Sequence, residues 1–169
     1  MFEQHFPYRY INHQLEKEPF EHISHNYSFR GKNDKRYIVT VEQYEENIYC
    51  AKFYLQEHKS CIHKFSRFSE QNECSRVIQT VAVILIDLLG KNPFASFLFI
   101  GANSIGEEKD NTRRYKLYKR IVEQKLSAVK FEHHFIDKYS SYIVLNKLNL
   151  GDFDILLRIE EKLKIVFED

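Results

Sequence analysis

The sequence predicts an α+β fold: an antiparallel β-meander sheet of about five to six strands packed against a buried central helix and a second, basic amphipathic helix. Three observations predict it. From Tyr27 onwards the first half alternates apolar and polar residues with strand periodicity. Phe and Tyr, which are common in strands, make up 15% of the 169 residues, and there is no Trp. A strongly apolar segment at 72–89 carries helix start and stop signals.

The first elements are predicted from alternation and from turn residues. Residues 1–26 hold aromatics, histidines and two prolines without a period, so we predict an irregular N-terminal arm, followed by a single α+β domain at 27–169. Turn-type residues at 31–34 and 45–47 separate the first strands. These strands are predicted at NYSFRG, KRYIVTVEQY and NIYCAKFYLQEH, with CIHKFSRF as a short fourth strand.

The second half alternates helices with strands. The 72–89 segment is apolar around most of its circumference and ends near Gly90, which predicts the central buried helix. The continuous apolar run ASFLFIGAN predicts a strand buried on both faces. A charged helix is predicted after it, from about Glu107 or Asn111 to Leu126. FEHHFID and YSSYIVLNKL predict a strand pair around Lys138. The tail DILLRIEEKLKIVFED is a short helix or a last strand, with the helix favoured.

Composition narrows the class of protein. A net charge of +1 predicts no general attraction to nucleic acid, so any such binding depends on local clusters. Three cysteines form no paired framework, and the N-terminus lacks the pattern of a signal peptide, which together predict a cytoplasmic chain. The most apolar run, VAVILIDLL, is too short to span a bilayer and contains Asp87. We predict no membrane association.

The segment GANSIGEEKDNTRRYKLYKRI, residues 101–121, is the strongest candidate for function. At roughly 100° per residue, Tyr115, Tyr118, Val122 and Leu126 fall on one side of its helix, and most of the cations fall on the other. Most of the basic run is therefore predicted to be a solvated helical face. The residues predicted to bind a partner are Asn111, Thr112, Arg113, Arg114, Lys116, Lys119 and Arg120.

Arg114 is the exception, because it projects towards the apolar side of the helix. A buried guanidinium needs a carboxylate, backbone carbonyls or a phosphate to satisfy its donors. One interpretation is a structural clamp that holds the 101–110 loop through Glu107 or Glu108. The other is an anion socket that Arg113 and Arg114 form with the donors at Asn111 and Thr112.

Two further groups of residues are weighed as sites. His58, Cys61, His63 and Cys74 are zinc-type ligands, but they lack the two tight pairs of a structural zinc site, so we predict no metal. His133 and His134 offer a general base that with Arg114 would make a small nuclease-type, ribonuclease-like enzyme. No nucleophile–base or metalloprotease motif accompanies them. No cofactor is predicted.

The segments NPFASFLFIGAN, EEKDNTRRYKLYKRI, FEHHF and SSYIVLNK resemble a family of small uncharacterised bacterial proteins found among mobile-element and defence genes. The resemblance covers roughly residues 27–148 and implies a bacterial context but no activity. Together with the basic helix it leads to the expected function, a non-enzymatic accessory module. Its working surface would be the 101–120 region, with a protein partner or self-association favoured over weak, salt-sensitive nucleic-acid binding. The nuclease-type enzyme is the alternative.

Overall fold

Most of the runs predicted as strands form strands, and the apolar segment at 74–91 and the charged segment at 113–125 form helices. The computed structural model describes residues 4–62, 64–66, 73–101, 108, 111–149 and 154–168. Within this part of the chain the strands are β1 (Tyr8–Glu16), β2 (His22–Arg30), β3 (Arg36–Tyr44), β4 (Ile48–Leu55), β5 (Ser96–Ile100), β6 (Phe131–Ile136) and β7 (Ser141–Asn146). The helices are α1 (Cys74–Lys91), α2 (Arg113–Lys125) and α3 (Ile155–Glu168).

The strands form one seven-stranded sheet in the order β1-β2-β3-β4-β5-β7-β6. Each neighbouring pair is antiparallel except β4 and β5, which run parallel. A parallel pair needs a crossover, and α1 lies in the connection between these two strands. The α+β class is confirmed, and the sheet is larger than the five to six strands predicted.

The N-terminal segment predicted as an irregular arm is instead part of this sheet. β1 pairs antiparallel with β2, with Tyr8 opposite Phe29 and Glu16 opposite His22. Nearly every side chain of β1 is exposed, so its sequence has no apolar alternation and gives no strand signal. The strand predicted at CIHKFSRF is also wrong for the part described, because Lys64–Ser66 forms a 3-10 turn.

Alternation along the strands builds two separate cores on the two faces of the sheet. Tyr37, Val39 and Val41 share one face of β3, as predicted, and pack in the large core under α1 and α2. On β4, Tyr49 and Ala51 join that core, whereas Ile48 and Cys50 point to the other face. The smaller core on that face lies under α3 and contains Ile48, Cys50, Leu98, Ile143, Leu145, Ile155, Ile159 and Leu163.

The helices are close to their predicted bounds. α1 begins at Cys74 and continues one residue beyond Gly90. Its apolar side chains from Val77 to Leu85 are mostly buried, and Ile86, Leu88 and Leu89 are half-buried against the same core. The apolar run at 95–103 forms β5 at Ser96–Ile100, while residues 102 and 103 lie outside the described part. The tail forms helix α3, which confirms the favoured alternative.

Candidate functional site

The start of α2 is fixed by hydrogen bonds from one capping residue. The Thr112 hydroxyl accepts a hydrogen bond from the Tyr115 amide at 3.2 Å and donates one to the Gly101 carbonyl at 2.5 Å. The Thr112 amide donates to Ser140 Oγ at 2.9 Å. These contacts satisfy groups that a helix N-terminus otherwise leaves open. They also tie the end of β5 and the β6–β7 turn to the helix.

The anion-socket interpretation required free donors at Asn111 and Thr112. The Asn111 amide donates to the Asp137 carbonyl at 3.0 Å, and both the amide and the hydroxyl of Thr112 already donate to protein acceptors. These donors of the helix start are therefore engaged within the protein. The geometry favours the structural interpretation of this junction.

Arg114 is buried in the large core, with 3% of its surface exposed. Its guanidinium donates a hydrogen bond to the backbone carbonyl of Phe65 and lies 5.0 Å from the centre of the Phe53 ring. This contact ties Arg114 to the turn at Lys64–Ser66, whereas the predicted clamp was onto the 101–110 loop, most of which lies outside the described residues. Two carboxylates were predicted as partners of Arg114. Glu107 lies outside the described residues, and Glu108 is exposed.

The two sides of α2 separate as the helical periodicity predicts. Tyr115, Tyr118 and Val122 are buried against the sheet and α1. Of the predicted binding cations, Arg113, Lys116 and Arg120 are exposed. The resulting basic face, defined here as Arg113, Lys116, Lys119 and Arg120, is carried on a helix whose other side is fixed in the core.

Lys119 is held in place by its neighbours. Its ammonium lies 3.5 Å from Asp137 Oδ1 and 4.6 Å from the centre of the Phe135 ring. Asp137 also accepts a hydrogen bond from the Tyr115 hydroxyl at 2.6 Å, and that bond, together with Lys119, holds the pKa of the Asp137 carboxyl below its usual value. Phe135 is 41% exposed, so the basic face has an aromatic side chain beside it.

The proposed catalytic histidines lie away from Arg114. One ring nitrogen of His133 contacts the Tyr142 hydroxyl, and the other lies 3.0 Å from the Leu126 carbonyl. Leu126 follows the last turn of α2, about 18 Å along the helix axis from Arg114 at a rise of 1.5 Å per residue. His134 contacts Glu132 at 3.2 Å. The described contacts therefore do not bring either histidine together with Arg114.

The zinc-type residues also remain separate in the part of the chain that the structure describes. No group of three or more His, Cys, Asp or Glu residues there is arranged to hold a metal ion, and His63 lies outside that part. His58 lies 3.7 Å from Glu57. Burial raises the pKa of the Cys74 thiol, although Arg114 and Arg113 act in the opposite direction, so Cys74 is a packed thiol.

A buried polar cluster that no sequence pattern indicated lies on the face that carries α3. The Glu42 carboxylate is buried and contacts the Lys52 ammonium at 2.5 Å, His22 Nε2 at 3.2 Å and the Tyr44 hydroxyl at 2.7 Å. The cluster adjoins a cavity of about 80 Å³ between the sheet and α3, which Tyr44, Lys52 and Lys162 help to line. In the sequence each member is an ordinary polar residue of a strand. The members come together only through the register of β2, β3 and β4, which the sequence alone does not show.

No family model, curated protein or solved structure matches this chain. In the described part of the chain, no helix combines the length and the apolar character needed to cross a membrane.

Proposed function

We propose that the protein is a non-enzymatic binding module that contacts an acidic surface of a protein partner through the basic face of α2. The supporting observation is that Arg113, Lys116 and Arg120 project into solvent from a helix whose opposite side is buried. A rigid row of cations meets a complementary negative surface without the entropic cost of ordering a loop. The resemblance to proteins of mobile-element and defence genes extends this proposal to an accessory role in such a system.

Phe135 supports a protein partner. Its ring is partly exposed and lies against the Lys119 ammonium, so an apolar contact and a positive charge are presented side by side. Aromatic residues and arginine dominate the binding energy of protein interfaces, usually as a central apolar contact with a charged surround. The neighbouring basic face and Phe135 have this composition.

Nucleic acid is the less favoured ligand for this face. Tyr115 and Tyr118 are buried, so the helix has no outward ring of its own on which successive bases could stack. Four phosphate contacts on a duplex would give a slope of roughly −3.6 in log K against log salt, which means weak binding at physiological salt. Such binding is expected to be non-specific.

A titration at two salt concentrations tests the proposal. The probes are a Glu-rich peptide, duplex DNA, and single-stranded DNA and RNA, each added to the folded protein. We expect the peptide to bind and the affinity to be lost in the variant Lys116→Glu, Lys119→Glu, Arg120→Glu. The matched control reverses three exposed lysines elsewhere, Lys59→Glu, Lys91→Glu and Lys164→Glu, and has the same net charge.

The control separates a specific surface from general charge. Equal loss of peptide binding in both triple variants would show that net charge alone is responsible and would contradict the proposal. Tight nucleic-acid binding that persists at physiological salt and disappears only in the α2 variant would replace the protein partner with a nucleic acid. Cleavage of a nucleic-acid probe that is lost in His133→Ala or His134→Ala would favour the nuclease-type alternative.

A further inference from the structure

Three arginines converge at the end of the sheet formed by β1, β2 and β3, on the face opposite α1 and α2. Arg9 lies on β1 directly opposite Ser28 of β2, and Arg30 of β2 lies directly opposite Arg36 of β3. Alternation places all four side chains on one face. They line an open cleft of about 600 Å³, which is within the usual size range of small-molecule sites.

The guanidinium groups of Arg9 and Arg36 are close together and weakly engaged. Arg9 Nε lies 3.4 Å from Ser28 Oγ, and Arg36 Nη2 lies 3.5 Å from the same oxygen. The two nitrogens are therefore at most about 7 Å apart, and both contacts are longer than ordinary hydrogen bonds of about 2.7–3.2 Å. Among the described residues, no carboxylate lies within ion-pair distance of Arg9 or Arg36.

Repulsion within the cleft is only partly offset by the protein. Like charges directly opposite each other on neighbouring strands are destabilising, and Arg30 and Arg36 form such a pair. Arg30 has one acidic neighbour, Asp34 at 3.2 Å, but both side chains are largely exposed, so this ion pair contributes little. An anion bound between the arginines would relieve the repulsion.

We propose that this cleft binds the phosphate group of a small molecule, in the form of a phosphate monoester or a pyrophosphate. Guanidinium groups match the spacing of phosphate oxygens and form charge-assisted hydrogen bonds of about 2.7–2.9 Å, so Arg9 and Arg36 can hold different oxygens of one group. The Ser28 hydroxyl accepts the contacts from both arginines and has its own hydrogen to donate.

The surroundings favour a compact anion over a nucleic-acid strand. Next to the cleft on the same face, Thr40 Oγ1 donates to Asn26 Oδ1 at 2.9 Å, and Asn26 Nδ2 donates to Asn12 Oδ1 at 2.9 Å. This neutral ladder runs across β1, β2 and β3 and borders the positive charge along the strands. A continuous basic track, which a polyanion requires, does not extend over these three strands.

The test uses inorganic pyrophosphate as the probe, with calorimetric titration and thermal unfolding as readouts. We expect one site per chain and a higher Tm in pyrophosphate, because a ligand that binds only the folded state stabilises it. The double variant Arg9→Gln, Arg36→Gln should bind at least about tenfold more weakly, since two charge-assisted contacts are removed. Arg36→Lys should weaken binding less, because lysine keeps the positive charge and loses only the paired N–H donors of the guanidinium.

A matched double variant on α2, Lys116→Gln with Arg120→Gln, removes the same charge from the other basic surface and should leave pyrophosphate binding unchanged. The assignment would be overturned if pyrophosphate did not bind up to roughly millimolar concentration, or if both double variants weakened its binding equally. Single-stranded DNA that binds through Arg9 and Arg36 while pyrophosphate does not would also overturn it, in favour of a polymer site. Because the cleft and α2 are separate surfaces, either proposal can fail without the other.

Discussion

At the scale of single residues, Arg113 and Arg114 show how one step along a helix decides the role of a cation. Arg113 is exposed on the basic face, whereas Arg114 is buried beside Phe53 and donates to the Phe65 carbonyl. Helical periodicity alone separates them, so the unusual position of Arg114 was predictable from the sequence. The contact of Arg114 with Phe65 was not predictable, because the two residues are 49 positions apart in the chain.

We predict that Arg114→Ala lowers the free energy of unfolding by roughly 2–4 kcal/mol. The substitution removes a buried charged donor and leaves the Phe65 carbonyl without the hydrogen bond from Arg114. Denaturant unfolding measures this loss. Lys116→Ala, on the exposed side of the same helix, is the control and should change stability by less than about 0.5 kcal/mol. If Arg114→Ala were as stable as the wild type, the clamp would be wrong and the anion socket would regain support.

The thiols of Cys50 and Cys61 should differ in reactivity because they differ in burial. Cys50 is fully buried, and desolvation and the nearby Glu42 raise the pKa of its thiol to about 12. Only the thiolate reacts, so at pH 8 native Cys50 should resist a thiol reagent that labels the half-buried Cys61 first. Mass spectrometry of the labelled chain checks the order. Labelling of Cys50 before Cys61 in folded protein would contradict the buried position of β4.

At the scale of elements, the junction between β5 and α2 depends on a close approach of two backbones. A Cβ added at Gly101 would collide with the backbone of Tyr115, which belongs to the first turn of α2. We predict that Gly101→Ala destabilises the protein by roughly 1–3 kcal/mol through overpacking, as measured by thermal unfolding.

Gly90 gives the matched control for this substitution. It lies in α1, and nothing lies within 4 Å of an added Cβ. Gly90→Ala should therefore stabilise the protein by up to about 1 kcal/mol, because alanine is the better helix former. Equal effects of the two substitutions would mean that β5 and α2 do not approach as described.

The elements that the sequence predicted are those whose signal is local. α1, α2 and the β6–β7 pair have apolar periodicity of their own. β1 has no such signal, because it is an exposed edge strand that is defined by its pairing with β2. Contacts between distant parts of the chain were likewise not predictable from local sequence patterns. Examples are the parallel pairing of β4 with β5 and the contacts of Ser28 with Arg9 and Arg36.

At the scale of the whole molecule, stability should come from the two cores alone, without a metal. Purified protein should contain no stoichiometric zinc, and a chelator should leave its Tm unchanged, because a structural zinc would contribute directly to folding. Elemental analysis and thermal unfolding with a chelator measure both. About one zinc per chain would instead make His58, Cys61, His63 and Cys74 a metal site. Self-association stays a prediction at this scale, and β1, the first strand in the order of the sheet, presents a strand edge of the kind through which chains pair.

The central claim, that α2 carries the binding surface, is tested most directly by mapping amide chemical shifts during titration with the Glu-rich peptide. The prediction is that the shifts concentrate on Lys116, Lys119, Arg120 and the neighbouring Phe135, and that they decrease as salt is added. Amides of α3, on the other face of the sheet, should not move. Saturable shifts confined to α3 or to the β1–β3 end of the sheet, with α2 unperturbed, would contradict the claim.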